Sequence, residues 1–315
     1  MKRAALTGEE DMQQRWLAKL TRLNPASGRG DCHGKAPHKP LMLLALLDLA
    51  ESGELPSRAF TRSPGLALRF RSYGSIVTDR WPTRLDLRMP FFHLSTQGFW
   101  EPLTTEMHRA GSPESCAVCE MHPEFFALLA DATFRLKARM ILVSRYFAPE
   151  ERIAFFETLG LQTGGRDETT TARVLEEAEE VAKRKGRCAR FAVRVVSEYR
   201  FTCALTGYRC LTSDSATIVD AAHIEAWATT QNDDPENGLA LSKNAHWMFD
   251  EGLWSVDEDF RIVVAANRFT ENGPEALKLA SFAGRHLQFD PSAKLRPAAE
   301  LLKRHRHYHG IRSGS

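Results

Sequence analysis

At 315 residues, 43% hydrophobic and 26% charged, the chain is long enough for two ordinary domains, and its composition is neither that of a disordered nor that of a fibrous protein. A net charge of +2 excludes a global basic footprint, so any nucleic-acid contact has to come from local clusters, such as Lys183, Arg184, Lys185, Arg187, Arg190 and Arg194, or Lys294, Arg296, Lys303, Arg304 and Arg306. Leu41 to Leu47 is far shorter than the roughly 20 residues of a membrane span, MKRAALTGEEDMQQRW has acids where a signal peptide has its apolar stretch, and six cysteines are too few for a disulfide scaffold, so the expected location is cytoplasmic.

In chain order, Trp16, Leu17, Leu20 and Leu23 stand at helical spacing and are followed by the loop NPASGRGDCHGKAP. Pro40 suits the first turn of a second helix, with Leu43, Leu46, Leu47 and Ala50 as a buried stripe and Gly53 as the stop. Residues 63–75 read as a third helix, and MPFFHLSTQGFWEPL as a β-hairpin around Thr-Gln-Gly. Three helices and a hairpin resemble a winged helix. Residues 122–158 read as helical, and LQTGGRDETTT has the composition of a linker. The expected fold is α+β: a mainly helical, winged-helix-like domain over 1–162, a linker at 163–172 and a second domain over 173–315, opening with a helix that carries Phe191, Val195 and Tyr199 on one face.

The chemistry concentrates in that second domain. His223, Asn237 and His246 are spaced fourteen and nine residues apart. TIVDAAHI reads as a strand ending in His223, NDDPENG as a polar turn, LALSKNAHWMF as a short helix carrying His246, and a further strand starts at Leu253. Hydrolysis of a phosphodiester needs a base to deprotonate water and a divalent metal to stabilise the developing charge. His223 is the candidate base, its ring oriented by the side-chain oxygen of Asn237, and His246 is the candidate metal ligand.

These residues, as AAHI (221–224), NGLAL (237–241) and H-x-x-F-D-x-G (246–252), resemble the HNH, or ββα-metal, nucleases over about residues 190–265. The resemblance implies a metal-dependent DNA endonuclease using Mg²⁺ or Mn²⁺, with Co²⁺ and Ni²⁺ as further options, and double-stranded DNA as partner. Many relatives carry an acidic ligand directly before the first histidine, where this chain has Ala222. Asp220 is the candidate replacement and would need a strand twist or bulge, because alternation puts it on the Ala222 face. Asp250 is either a partner of His246 or a helix-end acceptor. Cys203 and Cys210 lack the second pair that a structural zinc site needs, and the better-spaced zinc candidate is Cys116 with Cys119 beside His108 and His122, where two buried thiols are the simpler reading.

LTRLNPASGRGDCHGKAPHKPLMLLALLDLAESGEL, followed by PFFHLSTQGFW, resembles the N-terminal sulfur-binding domain of phosphorothioated-DNA-binding, modification-dependent restriction endonucleases, over roughly residues 10–160. That family pairs such a reader with a C-terminal HNH domain, which implies a role in defence. Phosphorothioate sulfur is larger, softer and less hydrated than oxygen, so an apolar cup with a cationic rim would select it. The pocket candidates are Pro37, His38, Lys39 and Pro40 at a helix start, with His93 and Trp100 from the hairpin. Arg22, Arg29 and Lys35 are the candidates for clamping neighbouring phosphates. The residues equally allow a reader of methylated bases or of ordinary sequence, or a catalytically inactive DNA-binding regulator, and duplex cleavage by single-strand cutters would favour a homodimer.

Overall fold

The computed structural model describes residues 8–161, 172–290 and 295–312, with side chains of the helix at 172–198 described from 179 onward. The chain divides between Ala189 and Arg190 into two compact units. Of the linker expected at 163–172, all but Ala172 lies outside the described residues, as does Lys294. No helix among the described residues is long and apolar enough to cross a membrane.

The first unit is built around α2 (His38–Glu51). Residues 41–47 are each no more than 1% exposed, so the expected stripe is a helix buried on every side, as its unbroken apolar run requires. Packed on it are α3 (Pro64–Gly74) and, after the stretch described next, α6 (Ala132–Tyr146), and α1 (Gly8–Leu20) packs in turn on α6. Ser63 caps α3 by accepting from the Leu66 amide, with Pro64 at the first helical position. The one acid in the core-facing part of α2, Asp48, is neutralised from two sides by buried arginines: Arg69 of α3 at 2.6 Å and Arg139 of α6 at 3.6 Å.

Residues 89–103 depart from the expected hairpin. They form α4 (Arg88–His93), a 3₁₀ turn (Leu94–Gln97) and a strand, β2 (Trp100–Leu103). Pro90, Phe91 and Leu94 are buried, a helical i, i+1, i+4 set that a two-residue alternation misreads. Gly98, at φ +69°, ends the turn, and the Trp100 indole donates to the Phe91 carbonyl at 2.7 Å, tying strand to helix. The antiparallel hairpin lies further on, where β2 pairs with β3 (Val118–Met121), which also pairs with β1 (Ala59–Thr61) to give the order β1-β3-β2. Pro102 is tolerated because β2 is an edge strand. α5 (Pro123–Leu128), α6 and α7 (Pro149–Thr158) fill the predicted helical stretch.

α8 (Ala172–Glu198) crosses the division. Ala182 and Ala189 pack in the first unit's core, so the helix up to 189 groups with that unit, and the part from Arg190 groups with the second. The second unit pairs β4 (Val219–His223), which the short α9 (Trp227–Thr230) follows, with β5 (Gly238–Ser242), and α10 (Lys243–Asp250) comes next. Leu239–Leu241 are therefore strand, not the start of the helix expected over 239–249. They are buried against β4, and the helix begins only after Ser242 turns the chain at ψ 157°. A second hairpin, β6 (Trp254–Val256) with β7 (Ile262–Val264), and α11 (Ala299–Tyr308) complete the unit.

Candidate active site and a second cavity

β4, β5 and α10 place His223 at a strand end and His246 inside a helix, with Gly238 directly opposite His223 in the register. A Cβ at Gly238 would lie 2.4 Å from Val195 and 2.9 Å from the Phe191 ring, so glycine is what lets α8 approach this closely. Phe191 in turn stacks face to face on the His223 imidazole, with centroids 3.9 Å apart and planes 3° apart.

His223, His246 and Asp250 line one cavity of about 460 Å³, walled by Trp227 on one side and by Arg304, Tyr308 and His309 of the C-terminal helix and its end on the other. His246 Nε2 is 3.4 Å from Asp250 Oδ2. Partial burial pushes the Asp250 carboxyl above its usual range, a shift opposed by the nearby His246 and by His309 and His223. Burial, with Arg268 nearby, holds His309 below the ordinary imidazole range. Arg304 pairs with Glu225 at 2.6 Å at the rim.

Two sequence expectations change. Asn237 is fully buried and does not touch His223: its Oδ1 accepts from the Glu225 amide at 2.9 Å, and its Nδ2 donates to the carbonyls of Glu225 and Asn232 at 3.1 and 2.9 Å. An amide with both acceptor and donor capacity can close a loop on itself in this way, and here it pins 225–237. His223 Nε2 instead lies 3.0 Å from Asp233 Oδ1, a partner the sequence reading passed over because it sits among the acids of a polar turn. Asp220 does not reach the cavity either. Its carboxylate pairs with Lys243, as the alternation of β4 dictates.

No group of three or more His, Cys, Asp and Glu stands ready for a metal among the described residues. Of the donors that line the cavity, His223 is held by Asp233 and Glu225 by Arg304, while His246 and Asp250, one imidazole and one carboxylate, stand 3.4 Å apart. That set, one nitrogen and one oxygen donor, fits a divalent cation that keeps waters in its remaining positions. Cys203 is buried against Ser242. Cys116 and Cys119 lie with their sulfurs 3.7 Å apart inside the first unit, where Cys119 donates to the Phe91 carbonyl and burial pushes its thiol up. His122 packs on the Trp16 ring and His108 is exposed.

In the first unit, the 24–36 loop, the start of α2, and α4 enclose a cavity of about 880 Å³. It brings together Arg29, His38, Lys39 and His93 with the apolar surfaces of Pro25, Trp81, Met89 and Pro90. Lys39 Nζ donates to the Asn24 carbonyl and to Gln97 Oε1, both at 3.0 Å, and burial lowers its pKa. Burial also lowers that of His38, against the opposing pull of Asp86. The indole N–H of Trp81, a residue only 9% exposed, has no hydrogen-bond partner among the described residues. Pro37 and Pro40 are buried and do not line the cavity, Trp100 is held in β2, Lys35 donates to Ser27, and Arg22 is exposed outside the cavity. Much of the charge in the basic clusters is met internally, Lys183 by Glu179, Lys185 by Asp79 and Arg187 by Glu180.

Among solved structures, one described as a modification-dependent TagI restriction endonuclease is similar at 21% identity and a TM-score of 0.30, over 38% of this chain and 37% of that one. This chain thus spans little more than a third of that protein's length. No curated protein matches. Residues 203–257, from Cys203 through β4, β5 and α10 to the end of β6, match the HNH endonuclease family. The second unit therefore carries an HNH endonuclease domain.

Proposed function

We propose that the chain is a modification-dependent DNA endonuclease, whose first unit binds phosphorothioate-marked DNA and whose HNH domain hydrolyses phosphodiester bonds nearby. The observation that carries the nuclease half is the convergence of His223, His246 and Asp250 on one cavity of the ββα scaffold. His223 accepts the proton of the attacking water. His246 and Asp250 would hold a divalent cation, which would supply charge stabilisation at the scissile phosphate and leaving oxygen. Asn237 keeps the loop between the strands closed, and Arg304 stands at the rim, where a guanidinium suits a DNA phosphate.

The reading of the first unit rests on its cavity. Cations drawn in among apolar walls suit an anion that is softer and less hydrated than phosphate, and an indole N–H without a partner is a donor such an anion would satisfy. Arg29, His38, Lys39 and His93 are the contacting groups, and Arg22 and Lys35 act outside the cavity on flanking phosphates.

Two duplexes identical but for one phosphorothioate, incubated with the full chain with and without Mn²⁺, test this by mobility shift and cleavage. Selective binding of the marked duplex, with selectivity lost in Lys39→Ala/His93→Ala, is expected. Equal binding of both duplexes by the wild-type chain would discard the sulfur reader and leave the nuclease.

A further inference from the structure

A general base works only if the nitrogen facing the water carries the lone pair, and neutral imidazole offers that lone pair on one nitrogen at a time. Something must choose, and Asn237 is 0% exposed and engaged elsewhere. We infer that Asp233 is the positioning residue of His223: it holds the ring in the Nε2–H tautomer and so leaves the Nδ1 lone pair to take the proton. The inference rests on the reading of His223 as the base.

Four observations converge on it. His223 Nε2 is 3.0 Å from Asp233 Oδ1, and a carboxylate can only accept, so the proton of that bond belongs to the imidazole. The second carboxylate oxygen accepts from the Trp227 indole at 2.9 Å, which fixes the rotation of the carboxylate. The Asp233 side chain is 8% exposed, so water competes little for it. Finally, Phe191 lies flat on the imidazole, leaving only rotation within the ring plane, which the Nε2 bond removes.

This arrangement also gives Asn237 a task. By accepting from Glu225 and donating to the carbonyls of Glu225 and Asn232, it closes the loop whose next residue is Asp233. The amide thus acts on the base at one remove, through the carboxylate. An orienting partner on the outer nitrogen of a working histidine is a general device for fixing its tautomer.

The two simplest substitutions separate this role from a structural one. Asp233→Asn keeps shape and volume. To keep accepting from Trp227 with its oxygen, it must turn its NH₂ toward Nε2, which then has to accept, so the ring proton moves to Nδ1 and the base is blocked. Asp233→Ala removes the partner and leaves the ring free to populate either tautomer. Cleavage by Asp233→Ala should fall about ten- to hundredfold. Asp233→Asn should fall further, by about 10⁴, as when an amide replaces the orienting carboxylate of a serine-protease triad. A residue that only held the loop would give the reverse order, with the isosteric Asn milder.

The direct readout is the ring ¹⁵N spectrum of His223 in the histidine-labelled full chain at a pH where the ring is neutral, assigned by its disappearance in His223→Ala. Expected is protonation at Nε2 in the wild type and at Nδ1 in Asp233→Asn. A wild-type ring protonated at Nδ1, or Asp233→Asn cleaving faster than Asp233→Ala, would overturn the inference. Failure of the underlying reading looks different, because His223→Ala would then still cleave.

Discussion

Gly252 follows α10 at φ +63°, and a Cβ there would stand 2.2 Å from the His309 ring. The left-handed conformation costs an L-residue about 1–2 kcal/mol, and the clash adds an overpacking penalty of about 1–3 kcal/mol. Gly252→Ala is therefore expected to destabilise the second unit by about 2–5 kcal/mol in urea melts. A change within the error of the melts would mean His309 moves aside freely. Asp250 and Asp220 give a paired prediction, since only the first lines the cavity and the second is occupied by Lys243. Asp250→Asn should raise the Mn²⁺ concentration for half-maximal cleavage by at least about tenfold, while Asp220→Asn leaves it unchanged. The opposite pattern would return the acidic ligand to β4. Of His223, Asn237 and His246, singled out by their spacing, the first and last line one cavity and Asn237 is buried in the loop between the strands. The partner of His223 was not legible: Asp233 is one of several acids in NDDPENG, and only the closure of the loop by Asn237 shows which carboxylate faces the ring.

Elements explain where sequence patterns fail. β4, α3 and the helices of 122–158 stand as read, since each carries an unambiguous period or a cap. Residues 89–103 do not, because the apolar runs Met89–Phe92 and Phe99–Trp100 satisfy both periods. The choice is made by tertiary contacts such as Trp100 to the Phe91 carbonyl. α11 was foreseen only as a basic stretch, yet it supplies a wall of the cavity and the buried His305, stacked on Phe249 at 3.9 Å with Nδ1 2.9 Å from Ser255 Oγ. Burial, together with His309, lowers the His305 pKa to about 3. The folded state thus holds the ring neutral, whereas the unfolded chain takes up a proton below its ordinary value of 6.5. This contribution is complete above that value and is lost progressively as pH falls from there toward 3, amounting to about 2 kcal/mol by pH 5. His305→Leu, which cannot be protonated, should be less stable at pH 7.5 but show a flatter decline between pH 7 and 5. Parallel declines would assign the acid sensitivity to other groups.

At the scale of the whole molecule, the two compact units hold separate cavities of different chemistry: cations among apolar walls in the first, and imidazoles with a carboxylate in the second. Histidine spacing and a Pro-His-Lys-Pro helix start are local signals, and of the residues they single out His223, His246, His38 and Lys39 line these cavities while Asn237, Pro37 and Pro40 do not. Where one unit ends was not legible, since α8 runs unbroken across the division and no composition change marks Ala189. The central claim is that the His223 cavity cuts DNA with the help of a divalent metal, and cleavage of a phosphorothioate-marked duplex by the full chain and by His223→Ala, in Mn²⁺ and in excess chelator, tests it most directly. Cutting by the wild type in Mn²⁺ alone is expected, with a loss of about 10²–10⁴ in rate in His223→Ala. Cutting by His223→Ala at the wild-type rate, or wild-type cutting that persists in chelator, would contradict it.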